Sequence, residues 1–382
     1  MHQTLPPDPA REHVGWIDLL RIIACFLVVF SHCCDPFVSR FDSDPTAFLT
    51  GVFAGSFVRS CVPLFVMMSG VLLLPVRTGL NAFYRRRIGR IAVPLVFWSL
   101  ALPLLFHLYL NVVNPSTLNT AISGDHTWDG TLNKLWLFVF NFNFDTTPLW
   151  YLYMLVGLYF VMPVFGSWLD RAERRDIRLF LWVWGISLLL PAIEMFAPMI
   201  GYTGNYGNMG ILGVCDWNEF GTFYYVSGFI GYLVLAFYLK KYPPQWTWRK
   251  TWAVTIPMFV AGYLLTTLGY LAVHRHFPGN YAYLEVIWYF AGINVFLMTF
   301  PVFLLVRRMQ IAPRRWMARL ASLTFGIYLC HFIFVVAAFD LLNFAALPPA
   351  LHIAGMAVCA FAVSAGAVWV LQRFAVTRRL IA

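Results

Sequence analysis

Arg21 and His32 are the residues of this chain that most invite a chemical reading. They stand eleven residues apart in an apolar run, Trp16-Ile-Asp-Leu-Leu-Arg-Ile-Ile-Ala-Cys-Phe-Leu-Val-Val-Phe-Ser-His32. At 3.6 residues per turn and 1.5 Å per residue, that spacing is three helical turns and about 16 Å. Both side chains therefore share one face. Imidazole titrates near neutrality, which suits it to taking and giving a proton. Asp35 follows His32 by three residues and could orient the ring, while Asp18 precedes Arg21 by three and can pair with it. Each residue alone has a plainer use. An arginine snorkels to the membrane surface, and a histidine packs helices through a hydrogen bond. The common face argues for a joint role.

Other charged groups stand where an apolar run should have none. Ionisable residues inside a membrane span are costly and are read first as functional. Arg59 has little charge near it and calls for a partner, either an acidic loop residue or a substrate. Arg85-Arg-Arg-Ile-Gly-Arg90 opens a later helix, with Arg87 and Arg90 on one face and Arg86 beside them. Paired guanidiniums at a helix N-terminus suit phosphate; the same residues also serve as plain anchors at the inner surface. His331 ends Thr324-Phe-Gly-Ile-Tyr-Leu-Cys-His331 and is a second intramembrane imidazole. Glu219 and Glu285 border apolar runs near their outer ends, and Trp217 lies beside Glu219. No metal-ligand spacing, Gly-rich nucleotide loop or G-x-S-x-G turn is present. The seven cysteines read as small hydrophobes. A Cys34–Cys215 bridge stays open if both face an oxidising side.

The elements that hold these residues must be membrane helices. The chain is 60% hydrophobic and 12% charged, with mean hydropathy +0.70. Soluble domains run roughly 45–50% apolar and about 25% charged. Lipid permits only helices or closed barrels, and the apolar runs here are long and continuous. The fold class is all-α, a polytopic integral membrane protein of about ten helices. The spans fall near 16–34, 50–75, 88–112, 149–168, 178–200, 219–239, 251–273, 282–306, 317–340 and 351–371. Residues 134–144 are apolar but too short, and read as an interfacial or re-entrant segment. Of the 27 Lys and Arg, only Arg40, Arg59, Lys134 and Arg275 avoid one set of alternate connections and their flanks. That is the positive-inside pattern, with both termini cytoplasmic. The net charge of +10 then faces anionic membrane lipids, and no nucleic acid is needed. Residues 1–382 read as one membrane domain without a separate soluble part, and 1–15 as a cytoplasmic segment before an uncleaved anchor. The outward loops carry Asp35, Asp125, Asp145, Asp216 and Glu219 with Trp128, Tyr202, Trp217 and Tyr281. They form either an interfacial belt or an acidic, aromatic rim for a sugar.

The assembled pattern resembles the membrane-bound acyltransferase-3 family. Asp18-Leu-Leu-Arg21 with His32 is similar to its R-x10-H signature, and Arg87-Ile-Gly-Arg90 to its RxxR. Pro63-Leu-Phe-Val-Met-Met-Ser-Gly70, Leu149-Trp-Tyr-Leu152 and Phe325-Gly-Ile-Tyr-Leu-Cys-His331 follow in the family's order. Arg59 with Val62-Pro-Leu-Phe65 resembles the branch containing the enterobacterial-common-antigen O-acetyltransferase. An appended extracytoplasmic esterase-like domain, which some members carry, is not seen.

The resemblance implies a bacterial inner-membrane O-acetyltransferase. Its co-substrate would be cytoplasmic acetyl-CoA, with no cofactor bound permanently. Its acceptor would be a glycan or lipid-linked saccharide. On this reading Arg87 and Arg90, with Arg86 and Arg21, hold the CoA phosphates. His32 is the general base, oriented by Asp35, or carries the acyl group itself. His331 is an alternative base or a proton relay. Arg59, Trp217, Glu219 and Glu285 contact substrate, with Arg59 a candidate oxyanion donor. The rival reading is a proton-coupled transporter or flippase; the scarcity of visibly broken helices counts against it.

Overall fold

The computed structural model describes residues 14–201, 222–278 and 286–381. Every regular element among them is helical. In chain order the α-helices are α1 (Gly15–Val38), α2 (Pro45–Phe57), α3 (Cys61–Leu73), α4 (Leu80–Leu108), α5 (Trp128–Leu137), α6 (Trp150–Arg171) and α7 (Arg174–Ser187). They continue as α8 (Leu190–Phe196), α9 (Ile230–Lys241), α10 (Trp248–His276), α11 (Ile293–Arg308), α12 (Arg315–Asn343), α13 (Pro349–Leu371) and α14 (Ala375–Ile381). Eight segments of described chain are long and apolar enough to cross a membrane.

Ten such segments are expected from the sequence. The two that differ are 219–239 and 282–306, where the described helices α9 and α11 span 12 and 16 residues. Gly228 has φ +73°, which ends helical geometry just before α9. Ahead of α11 the chain turns through 286–292. The Asn294 amide repairs that break by donating to the Ile287 carbonyl at 2.7 Å and to the Thr266 hydroxyl at 3.0 Å. In lipid, freed backbone groups need such internal partners. The expected 50–75 span is also broken, into α2 and α3 at residues 58–60. Pro63 supplies the cause: its ring clashes with the carbonyl four residues back, at Arg59. A similar break at Leu188–Leu189 divides the expected 178–200 span into α7 and α8.

α1 lies at the centre, packed by α2, α3, α12 and α13. α12 is its main neighbour and is buried along most of its length from Leu323 to Asp340. Small residues permit close approach, as at Gly70, where a Cβ would stand 2.5 Å from the Leu233 carbonyl of α9. The outside is apolar. Ile256, Val260, Leu264 and Leu268 of α10 form an exposed stripe at four-residue spacing, while Thr251, Thr255, Gly262 and Thr266 of the same helix face inward. An inverted helix of this kind has lipid as its solvent.

The bundle has two chemically distinct ends. At one, Gly15 abuts Ile311 and Ala312. There the Lys240 amine donates to the Val71 carbonyl at 2.7 Å and lies within electrostatic reach of Arg77 and Arg307. α1 and α12 both start at this basic end. At the other end, Ser39 after α1 meets Thr120 at 2.7 Å, and Asp340 near the end of α12 accepts from Thr117 at 2.7 Å and Tyr109 at 2.8 Å.

Candidate active site

His32 sits near the second end of α1 and is mostly buried. Its Nδ1 lies 3.0 Å from Asp35 Oδ2, one helical turn on. A carboxylate accepts, so Nδ1 carries the hydrogen, and in the neutral ring Nε2 is the nitrogen left with a lone pair. The imidazole of His331, from α12, stacks obliquely 5.4 Å away between ring centroids, and Phe332 closes the other side at 5.1 Å. His331 is fully buried. Its Nδ1 donates to the Tyr328 carbonyl at 2.7 Å.

His32 and Asp35 open onto a cavity of about 630 Å³. Asn119, Thr120 and Ser123 give it a polar wall, and Trp288 and Tyr270 an aromatic one. Trp288 is held in a layered stack. Tyr270 lies on it at 4.6 Å, and the guanidinium of Arg59 at 3.8 Å. Arg59 is buried at the α2–α3 break and donates from Nε to the Gly55 carbonyl at 3.0 Å. A desolvated cation–π contact of this kind contributes about 2 kcal/mol. Two broken helices thus meet beside the cavity, one bringing Arg59 and the other Trp288.

Beyond Phe332 the aromatic packing continues through Phe106 and Phe144 to His126. Asp145 is wholly buried there. It accepts from His126 Nε2 and from the Lys134 amine, each at 2.7 Å. The His126 carbonyl in turn accepts from Asn111 at 2.8 Å. This network fixes the 114–127 connection that supplies the cavity's polar wall. On its exposed rim, hydrogen bonds from Thr127 hold the Asp125 carboxyl below the usual carboxylate range.

Toward the basic end the polar groups do not stop. Tyr328 lies three residues before His331 on the same face of α12, ring centroids 6.0 Å apart. Tyr151 of α6 packs against Tyr328 at 5.6 Å. Tyr159 follows eight residues later, about 12 Å along the helix, within electrostatic reach of Tyr151. Arg87 and Arg90 both act on Tyr159. Contacting rings thus lead from His32 through His331 and Tyr328 to Tyr151, and Tyr159 is spaced beyond them on the side of the two arginines. Asp18 and Arg21 lie nearer the basic end of α1, 3.8 Å apart.

The sequence itself matches one known family. The acyltransferase-3 family model, described as an acyltransferase domain, matches residues 14–369. The chain belongs to this family. No curated protein and no solved structure matches it. An acyltransferase-3 domain on this set of apolar helices makes the protein a multi-pass membrane acyltransferase.

The candidate residues singled out by sequence fall into three groups. His32, Asp35 and His331 come together at the cavity, with Arg59 one ring away behind Trp288. Arg87 and Arg90 lie near Tyr159, away from the cavity; Arg86 is exposed beside them. The phosphate argument there changes, because α4 begins at Leu80 and not at the arginines. Arg87 sits about 10 Å into the helix, so its guanidinium and that of Arg90 act without the amides of the helix start. Trp217, Glu219 and Glu285 lie outside the described residues, as does Cys215. Tyr151, Tyr159, Tyr328 and Trp288 are additions. Tyr328 stands three residues before His331 and Tyr151 sits within Leu149-Trp-Tyr-Leu152, so spacing and motif carried a signal for both. Nothing in sequence links Trp288 to Arg59.

Proposed function

We propose that the protein moves an acetyl group from cytoplasmic acetyl-CoA to a hydroxyl of an envelope or exported glycan at the bacterial inner membrane. Both chain ends and Arg87 and Arg90 lie on the cytoplasmic side of a ten-span topology in this reading. The observation that carries it is the placement of the His32–Asp35 pair, open to a cavity on one side, with polar side chains spaced from it toward the two arginines on the other. Donor and acceptor thus approach one imidazole from opposite faces of the membrane. The enterobacterial-common-antigen-like features, Arg59 with Val62-Pro63-Leu64-Phe65, favour a saccharide of that envelope-polymer class.

Each group then has a task. Arg87 and Arg90 pair with the CoA phosphates through charge-assisted hydrogen bonds, and the pantetheine arm runs along Tyr159, Tyr151 and Tyr328. Asp35 keeps the Nδ1–H tautomer of His32. The acceptor hydroxyl gives its proton to His32 Nε2 as its oxygen bonds to the thioester carbon, and the carbonyl pair moves onto oxygen. On collapse the C–S bond breaks with its electrons on sulfur, and the imidazolium returns the proton to the leaving thiolate. An ester and free CoA result. An acyl-His32 intermediate is the two-step form of the same transfer. Arg59 and Trp288 shape the acceptor side.

The test uses purified protein in vesicles with acetyl-labelled CoA and an envelope-glycan extract. Label should enter glycan with one CoA thiol released per acetyl group. His32→Ala should lower turnover by about 10²–10⁴-fold, the usual worth of a positioned general base, at unchanged protein level. Full activity in that variant would remove His32 from the chemistry. The broken helices are a feature that transporters share. Solute flux without CoA release would replace acyl transfer by that second reading.

A further inference from the structure

Among the described residues five buried side-chain polar atoms have no hydrogen-bond partner, and two of them, Tyr328 Oη and His331 Nε2, lie one helical turn apart on α12. Buried polar groups are nearly always satisfied, and each exception asks for a cause. These two are complementary in kind. The Tyr328 carbonyl, which can only accept, takes the His331 Nδ1 hydrogen. Nε2 is therefore a bare acceptor, whereas the Tyr328 hydroxyl has a hydrogen to give. Both project from one face of α12, three residues apart. Their rings lie between Tyr151, on the Arg87 side, and His32, on the cavity side.

A secondary amide presents what this pair lacks, one C=O and one N–H in a single rigid unit. We propose that Tyr328 and His331 bind a secondary amide of the acyl donor, the one nearest the thioester in its pantetheine arm. Tyr328 donates to the amide carbonyl, and the amide N–H donates to His331 Nε2. The inference rests on the acyl-CoA reading above and deepens it. Two methylenes separate that amide from sulfur, so it trails the reacting carbon toward the arginines when the thioester faces His32. Tyr328 and His331 occupy that trailing position. An N-acetylated sugar carries the same amide, but it would enter from the cavity, on the other side of His32.

Binding measurements separate these sources without an identified acceptor. Titration calorimetry on the full chain in detergent would compare acetyl-CoA with an analogue whose thioester-proximal amide is replaced by two methylenes. The analogue should bind the wild-type protein about tenfold more weakly, the scale of a lost buried hydrogen-bond pair. Tyr328→Phe, which removes one oxygen and keeps the ring, should bind acetyl-CoA about tenfold more weakly and the analogue with no further loss. Equal weakening of both donors by Tyr328→Phe would overturn the proposal, as would unchanged acetyl-CoA affinity. The second result, accompanied by weaker binding of N-acetylglucosamine, would assign the pair to the acceptor. Should Tyr328→Phe not fold, the wild type decides alone: equal affinity for the two donors overturns the proposal. A wild-type protein that does not bind acetyl-CoA defeats the donor reading itself, and this proposal with it.

Discussion

Asp35 touches one nitrogen of His32 and leaves the other to the cavity, so substitution can separate orientation from proton transfer. Asp35→Asn keeps the shape and offers the ring a mixed partner that also accepts the wrong tautomer. It should lower kcat at least about tenfold, less than the loss of the base itself, while KM for acetyl-CoA stays put. A steady-state titration of both substrates checks this, and a KM effect on the donor would mean that Asp35 contacts it. Arg59 makes a different claim. Its flat guanidinium lies over Trp288, a contact that lysine cannot reproduce. Arg59→Lys should therefore keep the charge yet lose about 1–2 kcal/mol of stability, seen as a lower thermal midpoint, together with much of the turnover. The His32–Asp35 contact was legible in the sequence because a three-residue spacing puts both side chains on one face of a helix, and His331 stood out only as an ionisable group inside an apolar run. Trp288 was not legible, because its partners Arg59 and Tyr270 arrive from other helices, and pairing between helices leaves no trace in spacing.

At the scale of elements, long apolar runs identified most of the helices, while the breaks were missed. Hydropathy averages over a window and does not register a turn inside an apolar stretch. Yet the 286–292 turn puts Trp288 on the cavity wall, and the break ahead of Pro63 puts Arg59 against that ring; irregular backbone of this kind is tolerated where it is buried in protein or borders a cavity. The 134–144 segment was similarly half-legible. Its length excluded a span, but its anchor, Lys134 to Asp145, joins α5 to the start of α6 and could not be read from two distant charges. That ion pair is buried and can be tested. Lys134→Met leaves the Asp145 carboxylate with only His126 and should destabilise the protein by about 3–5 kcal/mol. Lys134→Met combined with Asp145→Leu removes both charges and should recover most of that loss. Thermal unfolding in detergent would record the difference, and a double variant no better than the single one would refute a charge-pairing role.

For the whole molecule, direction is what converts a list of groups into a path. α1 and α12 start together at the basic end, so Arg21 lies near it and His32 toward the other end. In the proposed topology the positive-inside pattern puts the basic end in the cytoplasm, and the proposed donor approach depends on that orientation. Labelling of introduced cysteines tests it directly. Asp125→Cys lies on the exposed rim beyond the cavity, and Gln245→Cys in the exposed connection between α9 and α10. The background is favourable, since Cys25, Cys33, Cys34, Cys61 and Cys330 are buried; Cys215 and Cys359 would be replaced by serine. In intact cells an impermeant maleimide should label position 125 and spare position 245 until the membrane is opened. The reverse pattern would put Arg87 and Arg90 outside. Cytoplasmic acetyl-CoA would then face the His32 cavity directly, and Tyr159, Tyr151 and Tyr328 would have to serve the acceptor instead.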